Sequence, residues 1–238
     1  MSKAIKRKVL PPLYTTLEPT SDQNYPKIFV GRALFVAVLF AQFIALQEVV
    51  GSYQFVYLSD WGLYLSIIYF LLAALHPFYK SQPGSALFES MRIILHMTAS
   101  AEFLIATFYW LILAVGDFKR IQGYPTVERR TFEYITCVML HAICPATIWY
   151  SLFNMRTLLK FSDIYSLSGM AAFYMYVNYT VSTESGRPVY PGMDWKSPAS
   201  HIQVVGALVL LIVGFFLSLK VSKGVEGDCE EKVNLKAD

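Results

Sequence analysis

A chain of 238 residues is long enough for one or two soluble domains, yet 55% of it is hydrophobic, 16% aromatic and only 16% charged. The charges gather between apolar blocks, as in a polytopic membrane protein, so the net charge of +3 describes loop bias and gives no case for nucleic acid. Cys137, Cys144 and Cys229 are too few and too scattered for a disulfide framework or a zinc site.

The first 28 residues carry Lys3, Lys6, Arg7 and Lys8, then Pro11 and Pro12. They lack the apolar core and cleavage site of a secretory signal peptide, so targeting falls to the first membrane helix. Six apolar segments follow, at approximately 29–50, 56–76, 93–115, 132–153, 162–182 and 201–221. Each matches the roughly 30 Å of bilayer hydrocarbon at 1.5 Å per residue. The expected fold is therefore an all-α membrane protein: a six-helix transmembrane domain over 29–222 and a disordered tail over 223–238. Such a chain is expected to be multipass and surrounded by lipid, in the endoplasmic reticulum, the plasma membrane or another organelle membrane, a choice the residues leave open.

Most Lys and Arg residues outside the segments lie at the termini and in the loops after segments two and four. The positive-inside rule then predicts both termini in the cytoplasm. Lys119, Arg120, Arg129 and Arg130, together in one opposite loop, argue the other way.

Segment one places Arg32 near its cytoplasmic end, where it can snorkel, with Gln42, Gln47 and Glu48 toward the far interface. Segment two carries Ser59, Gly62, Ser66 and Ala73 on one face, a stripe of small residues that suits close helix packing. Ser59–Asp60 equally reads as a helix N-cap, with Trp61 in the aromatic belt and His76–Pro77 as an interfacial terminator. Segment three holds the most polar intramembrane run. His96 with Ser100, and Thr98 with Glu102, form two adjacent facets suited to a pocket wall or to an interhelical hydrogen-bond network.

Segment four, TFEYITCVMLHAICPATIWYSLF, has His141 at its middle and a proline four residues later. Pro145 has no N–H, so the carbonyl of His141 loses its helical donor, and both polar groups need partners in hydrocarbon. A kink with cross-helix hydrogen bonds and a reactive site both satisfy that need. Segment five is rich in tyrosine, and its Asn178-Tyr-Thr180 sequon sits at the membrane edge, where no glycan is expected. The loop TESGRPVYPGMDWKSPASH reads as an ordered lid on the non-cytoplasmic side, and His201 beyond it as interfacial.

Four histidines on four segments, without a paired spacing, make no zinc site, and a haem pair would need His96 and His141 with two more well-placed ligands. No cofactor is expected. There is no nucleophile elbow, phosphate loop or dinucleotide fingerprint. What remains is a hydroxyl, Ser59, and a base, His141, which could act together only if brought within reach in a dry pocket.

YLSDWGLYLSIIYF, LHAICPATIWY and GRPVYPGMDW, in that order on six apolar segments, resemble the androgen-induced gene 1 family with its androgen-dependent TFPI-regulating relative, and more loosely the rolling-stone proteins. The resemblance covers roughly residues 30–220 through short, degenerate motifs. It implies a membrane hydrolase that cleaves fatty acid esters of hydroxy fatty acids with a threonine nucleophile and a histidine. The family's threonine falls on Ser59 and its histidine on His141; the serine and the neighbouring Asp60 depart from the family pattern. Glu102 and His96 are expected to orient or polarise a substrate-binding pocket. The alternative is a non-catalytic scaffold or a subunit of a larger membrane complex, in which Ser59 caps a helix and His141 bonds across the bundle.

Overall fold

The computed structural model describes residues 25–50, 55–79, 85–154 and 159–234. The basic N-terminal segment and the side chains of Gln47, Glu48, His76 and Cys229 lie outside what it describes. Helix α1 spans Tyr25–Val50 and α2 spans Leu58–Tyr79. Helix α3 (Ala86–Phe108) runs through a π-helical turn, Tyr109–Leu113, into α4 (Ala114–Gln122). Likewise α5 (Val127–Val138) continues through a second π turn, Met139–Ile143, into α6 (Cys144–Asn154). A 3₁₀ turn at Phe161–Asp163 leads into α7 (Ile164–Ser185), and α8 covers Pro198–Asn234. Among the described residues there are no strands.

Local chemistry sets several of these boundaries. Ser85 caps α3 by accepting from the Phe88 N–H, and Thr126 caps α5 by accepting from the Arg129 N–H, each relieving an orphan donor of the first turn. Gly186 closes α7 at φ 66°, a left-handed conformation that costs glycine nothing. Helix α8 continues to Asn234, through the stretch whose composition predicts a disordered end.

Contacts across the bundle fix how the rods run. Arg32 of α1 reaches Ala73 near the end of α2, Lys160 after α6 reaches Glu89 at the start of α3, and the Leu159 N–H reaches Ser222 of α8. These mark one end. At the other, Leu58 at the start of α2 meets Tyr190 in the loop after α7, and Trp195 meets Ser200 at the start of α8. The helical rods therefore alternate in direction. Helix α3 sits at the centre, packed on α2, α6 and α8. A methyl group on Gly62 would lie 2.7 Å from Glu102 Oε1, and one on Gly214 would lie 2.9 Å from the Ser100 carbonyl. Those two glycines let α2 and α8 approach α3 closely.

The bundle is apolar outside and polar within. Leu111 is 78% exposed and Ile202 is 72% exposed, while Asp60, Arg92, His96, Glu102 and Asp163 are all buried. In water this arrangement would be penalised twice; a lipid exterior accounts for both halves. Among the described residues, four helical stretches are long and apolar enough to cross a membrane: Leu58–Leu75, Ala86–Gln122, Val127–Phe153 and Pro198–Ser222. The described chain is thus all-helical, with four such stretches suited to membrane embedding. Helix α7 falls short because Tyr, Ser, Asn and Thr interrupt it, and in α1 the described side chains, Arg32–Ile44, form an apolar stretch.

Candidate functional site

Ser59 lies within the first turn of α2, one residue past its start, makes no capping hydrogen bond among the described residues, and faces a cavity of about 70 Å³. His141, from the π turn between α5 and α6, lines the same cavity, with Tyr109, Tyr174, Tyr190 and Met193. The helix-start position and the shared pocket, which the sequence sets as alternatives for Ser59, hold together. Ser59 and His141 are not hydrogen-bonded to each other, and Ser59 Oγ has no hydrogen-bond partner among the described residues.

The setting of His141 follows from Pro145. With no N–H at residue 145, the helix widens, and the Cys144 N–H reaches back to the Met139 carbonyl. The His141 carbonyl accepts instead from Trp110 Nε1 at 2.8 Å. Trp110 belongs to the other π turn, whose Tyr109 ring stacks on the His141 imidazole with centroids 3.6 Å apart and planes at 9°. The imidazole is turned by one more bond: Nδ1 lies 2.9 Å from the Cys137 carbonyl. A carbonyl can only accept, so Nδ1 carries the proton in the neutral ring and Nε2 keeps its lone pair. That is the tautomer a general base requires.

The same device recurs at Pro77, which removes the helical donor for the Ala73 carbonyl. Arg32 Nη1 donates to that carbonyl at 2.8 Å, so this arginine bonds to a neighbouring helix. Gln42 likewise donates across the bundle, to Thr136 Oγ1 at 3.2 Å.

The loop after α7 closes over the cavity. Tyr190 Oη accepts from the Leu58 N–H at 2.8 Å, and Tyr174 Oη donates to the Val56 carbonyl at 3.1 Å. With Tyr190 accepting and Tyr174 donating, the Tyr190 hydroxyl hydrogen is the donor left over, shared with Tyr174 Oη 3.2 Å away or offered to the cavity. Asn178, in the sequon, is buried and bonded through Oδ1 to Trp195 Nε1 at 2.9 Å, so its amide holds the loop. Trp195 adopts φ 59°, an uncommon conformation for a bulky residue that stores on the order of 1–3 kcal/mol and that its bonds to Asn178 and Ser200 maintain.

His96 and Glu102 lie elsewhere. His96 Nδ1 sits 3.0 Å from Asp163 Oδ2 and Nε2 sits 3.3 Å from the Phe215 carbonyl, so both nitrogens are occupied and neither is free to ligate haem. Arg92 pairs with the same Asp163 and with Glu89, to which Lys160 also binds. Glu102 is buried between α2 and α3, accepting from Ser66 Oγ at 3.3 Å, with Oε2 unpartnered among the described residues. Neither lines the cavity of Ser59 and His141. The residues that do, and that sequence reasoning passed over, are Tyr109, Tyr174 and Tyr190. Only Tyr190 had a signal, in the aromatic-proline run of its loop. Among the described residues no three His, Cys, Asp or Glu side chains gather as a metal site.

These features define an all-helical, apolar-surfaced protein with a small, mostly apolar cavity at one end of its bundle, faced by a few polar side chains. Comparison of the chain with protein-family models, with curated proteins and with solved structures found no match.

Proposed function

We propose that the protein is an integral-membrane lipid-ester hydrolase of six transmembrane helices with both termini cytoplasmic. In this reading Ser59 is the nucleophile and His141 the general base. The observation that carries the reading is the convergence of Ser59 and His141, from two distant helices, on one cavity, with the imidazole held in the tautomer that leaves Nε2 free. The resemblance to the androgen-induced gene 1 family independently points to the same two positions and supplies the substrate class, fatty acid esters of hydroxy fatty acids.

In the first half-reaction Ser59 Oγ attacks the ester carbonyl and its proton passes to His141 Nε2. The bond to the hydroxy-acid oxygen breaks, and that oxygen takes the proton from His141. The acyl group is left on Ser59. Water then attacks the acyl carbonyl, gives its proton to Nε2, and releases the fatty acid while Ser59 is reprotonated. The spare hydrogen of Tyr190 and the positive end of α2 are the groups placed to stabilise the oxyanion. Tyr109, stacked on the imidazole, and Trp110, on its carbonyl, keep the base from turning.

The competing reading, a non-catalytic scaffold, draws support from Ser59 lying in the first turn of α2. Labelling the purified protein with a lipid-like fluorophosphonate, with and without Ser59→Ala, separates the two. Labelling that disappears in the variant supports the nucleophile. Labelling that persists, or none in either protein, removes the hydrolase reading.

A further inference from the structure

A second cavity adjoins the first and differs from it in kind. Its volume is about 60 Å³, and it presents no polar surface. The two cavities share Leu58, Leu104, Tyr174, Met193 and Ala207, so they adjoin across those side chains, with Ser59, His141 and Tyr190 at one end and only apolar surface at the other. The apolar end is walled by α7, through Ala171 and Met175, and by α8, through Val204 and Leu208. These four side chains are only half-buried, although each faces protein on one side. The cause is in the packing: among the described residues α8 packs extensively on α3, α7 only lightly, and α7 and α8 make little contact with each other, which leaves a fissure between them.

An open seam between two helices with apolar outer faces is filled by whatever the surroundings supply. Phe173 of α7 and Val205 of α8 are both largely exposed, and in the proposed membrane setting such apolar surface meets hydrocarbon. Met170, Met175 and Met193 add side chains that adapt to a flexible occupant. At the inner end the strained Trp195 lies across the fissure, fixed there by Asn178 and Ser200.

We propose that the α7–α8 fissure binds a fatty acyl chain of the ester, which enters sideways from the bilayer and places its carboxyl end beside Ser59. The proposal rests on the hydrolase reading for the chain's identity as substrate. A cavity of about 60 Å³ holds only the first few carbons next to the ester, and the remainder lies along the outer face between the helices. Chain recognition is therefore strict near the carbonyl and loose toward the tail.

The test uses the full chain in phospholipid nanodiscs and a fatty acid ester of a hydroxy fatty acid with a diazirine near the ester on its acyl chain. Irradiation is followed by peptide mapping. The expected crosslinks fall on 170–175 and 204–208. Excess unlabelled ester should compete them, and Ser59→Ala should keep them, because binding does not need the nucleophile. Ala171→Trp, and from the opposite wall Leu208→Trp, should each lower labelling about tenfold; two variants guard against one that fails to fold. Labelling elsewhere, or labelling undiminished in both folded variants, overturns the proposal. So does equal labelling by a diazirine phospholipid that the ester fails to displace, which would make the occupant bulk lipid. Competed crosslinks without Ser59-dependent hydrolysis would leave the acyl site standing and remove the hydrolase. Hydrolysis with crosslinks elsewhere would do the reverse.

Discussion

At the end of the bundle where α3 begins, Glu89, Arg92, His96, Lys160 and Asp163 form one network in which each side chain meets a partner of opposite character. At the other end Ser59 Oγ has no partner among the described residues, His141 uses one ring nitrogen for the backbone, and a cavity lies against both. Both ends contain a histidine held between helices, His96 buried and His141 half-buried, and both rings are held by hydrogen bonds. The difference lies in the second ring nitrogen: the Phe215 carbonyl meets it in one case, and in the other no described residue bonds it and the ring lines a cavity. A saturated polar cluster in a low-dielectric interior stabilises a fold and has no capacity left for a substrate. An unsaturated one beside a cavity has that capacity.

The contrast is broken most severely at its reactive end. Ser59→Ala and His141→Ala should each lower hydrolysis of a fatty acid ester of a hydroxy fatty acid by about 10³-fold, with thermal unfolding little changed, as assayed on purified protein in detergent. Undiminished turnover in His141→Ala would exclude its role as base.

At the saturated end the expected loss is in stability. Asp163→Ala leaves Arg92 and His96 facing each other without their shared carboxylate, a loss of about 3 kcal/mol or more. Expression and the unfolding midpoint should fall, while the protein that remains folded keeps its turnover. A variant with normal stability and lost turnover would place the network in the site after all.

A finer probe concerns the carbonyl freed by Pro145. Trp110→Phe removes its one side-chain donor among the described residues and should cost about 1 kcal/mol, with a matching loss in turnover as His141 gains freedom. Pro145→Ala supplies a backbone N–H to the same carbonyl, so in the double variant the Trp110→Phe penalty should shrink. A double-mutant cycle in unfolding free energy reads this directly, and simple additivity would mean the indole and the missing N–H are unrelated.

The smallest effect belongs to the lid. The Asp194 carboxyl is held below the usual aspartate range by the backbone N–H of Ser197, then that of Lys196, with the Ser197 hydroxyl adding to them. A carboxyl shifted downward on folding stabilises the loop above its unfolded value near 4 and loses that contribution as pH falls through the lower, folded value. Amide exchange at Ser197 and Lys196 should therefore quicken in acid relative to neutral pH, after correction for intrinsic rates. Asp194→Asn should flatten the dependence.

Much of the fold can be read along the chain because lipid demands it. Apolar runs of spanning length, Ser85 and Thr126 before helices, and Gly186 after one are local facts with local consequences. The need of the His141 carbonyl for a partner is local too, since it follows from Pro145 alone. The partner is not. That Trp110 meets this carbonyl, and Arg32 the one freed by Pro77, depends on which helices neighbour each other and at what height. The polar facets of α3 show the limit most clearly. His96 and Glu102 lie within two turns of one another on a single helix and both read as pocket residues. Yet one is drawn to Asp163 across α8 and the other is shut against Gly62 of α2, because α3 is central and each of its faces meets a different helix. Ser59 and His141 share a cavity because the loop that carries Tyr190 binds the start of α2 at the level of the second π turn. A helix fixes only what lies within a turn or two of a residue; distances between helices are fixed by packing, and the chemistry at issue depends on those distances.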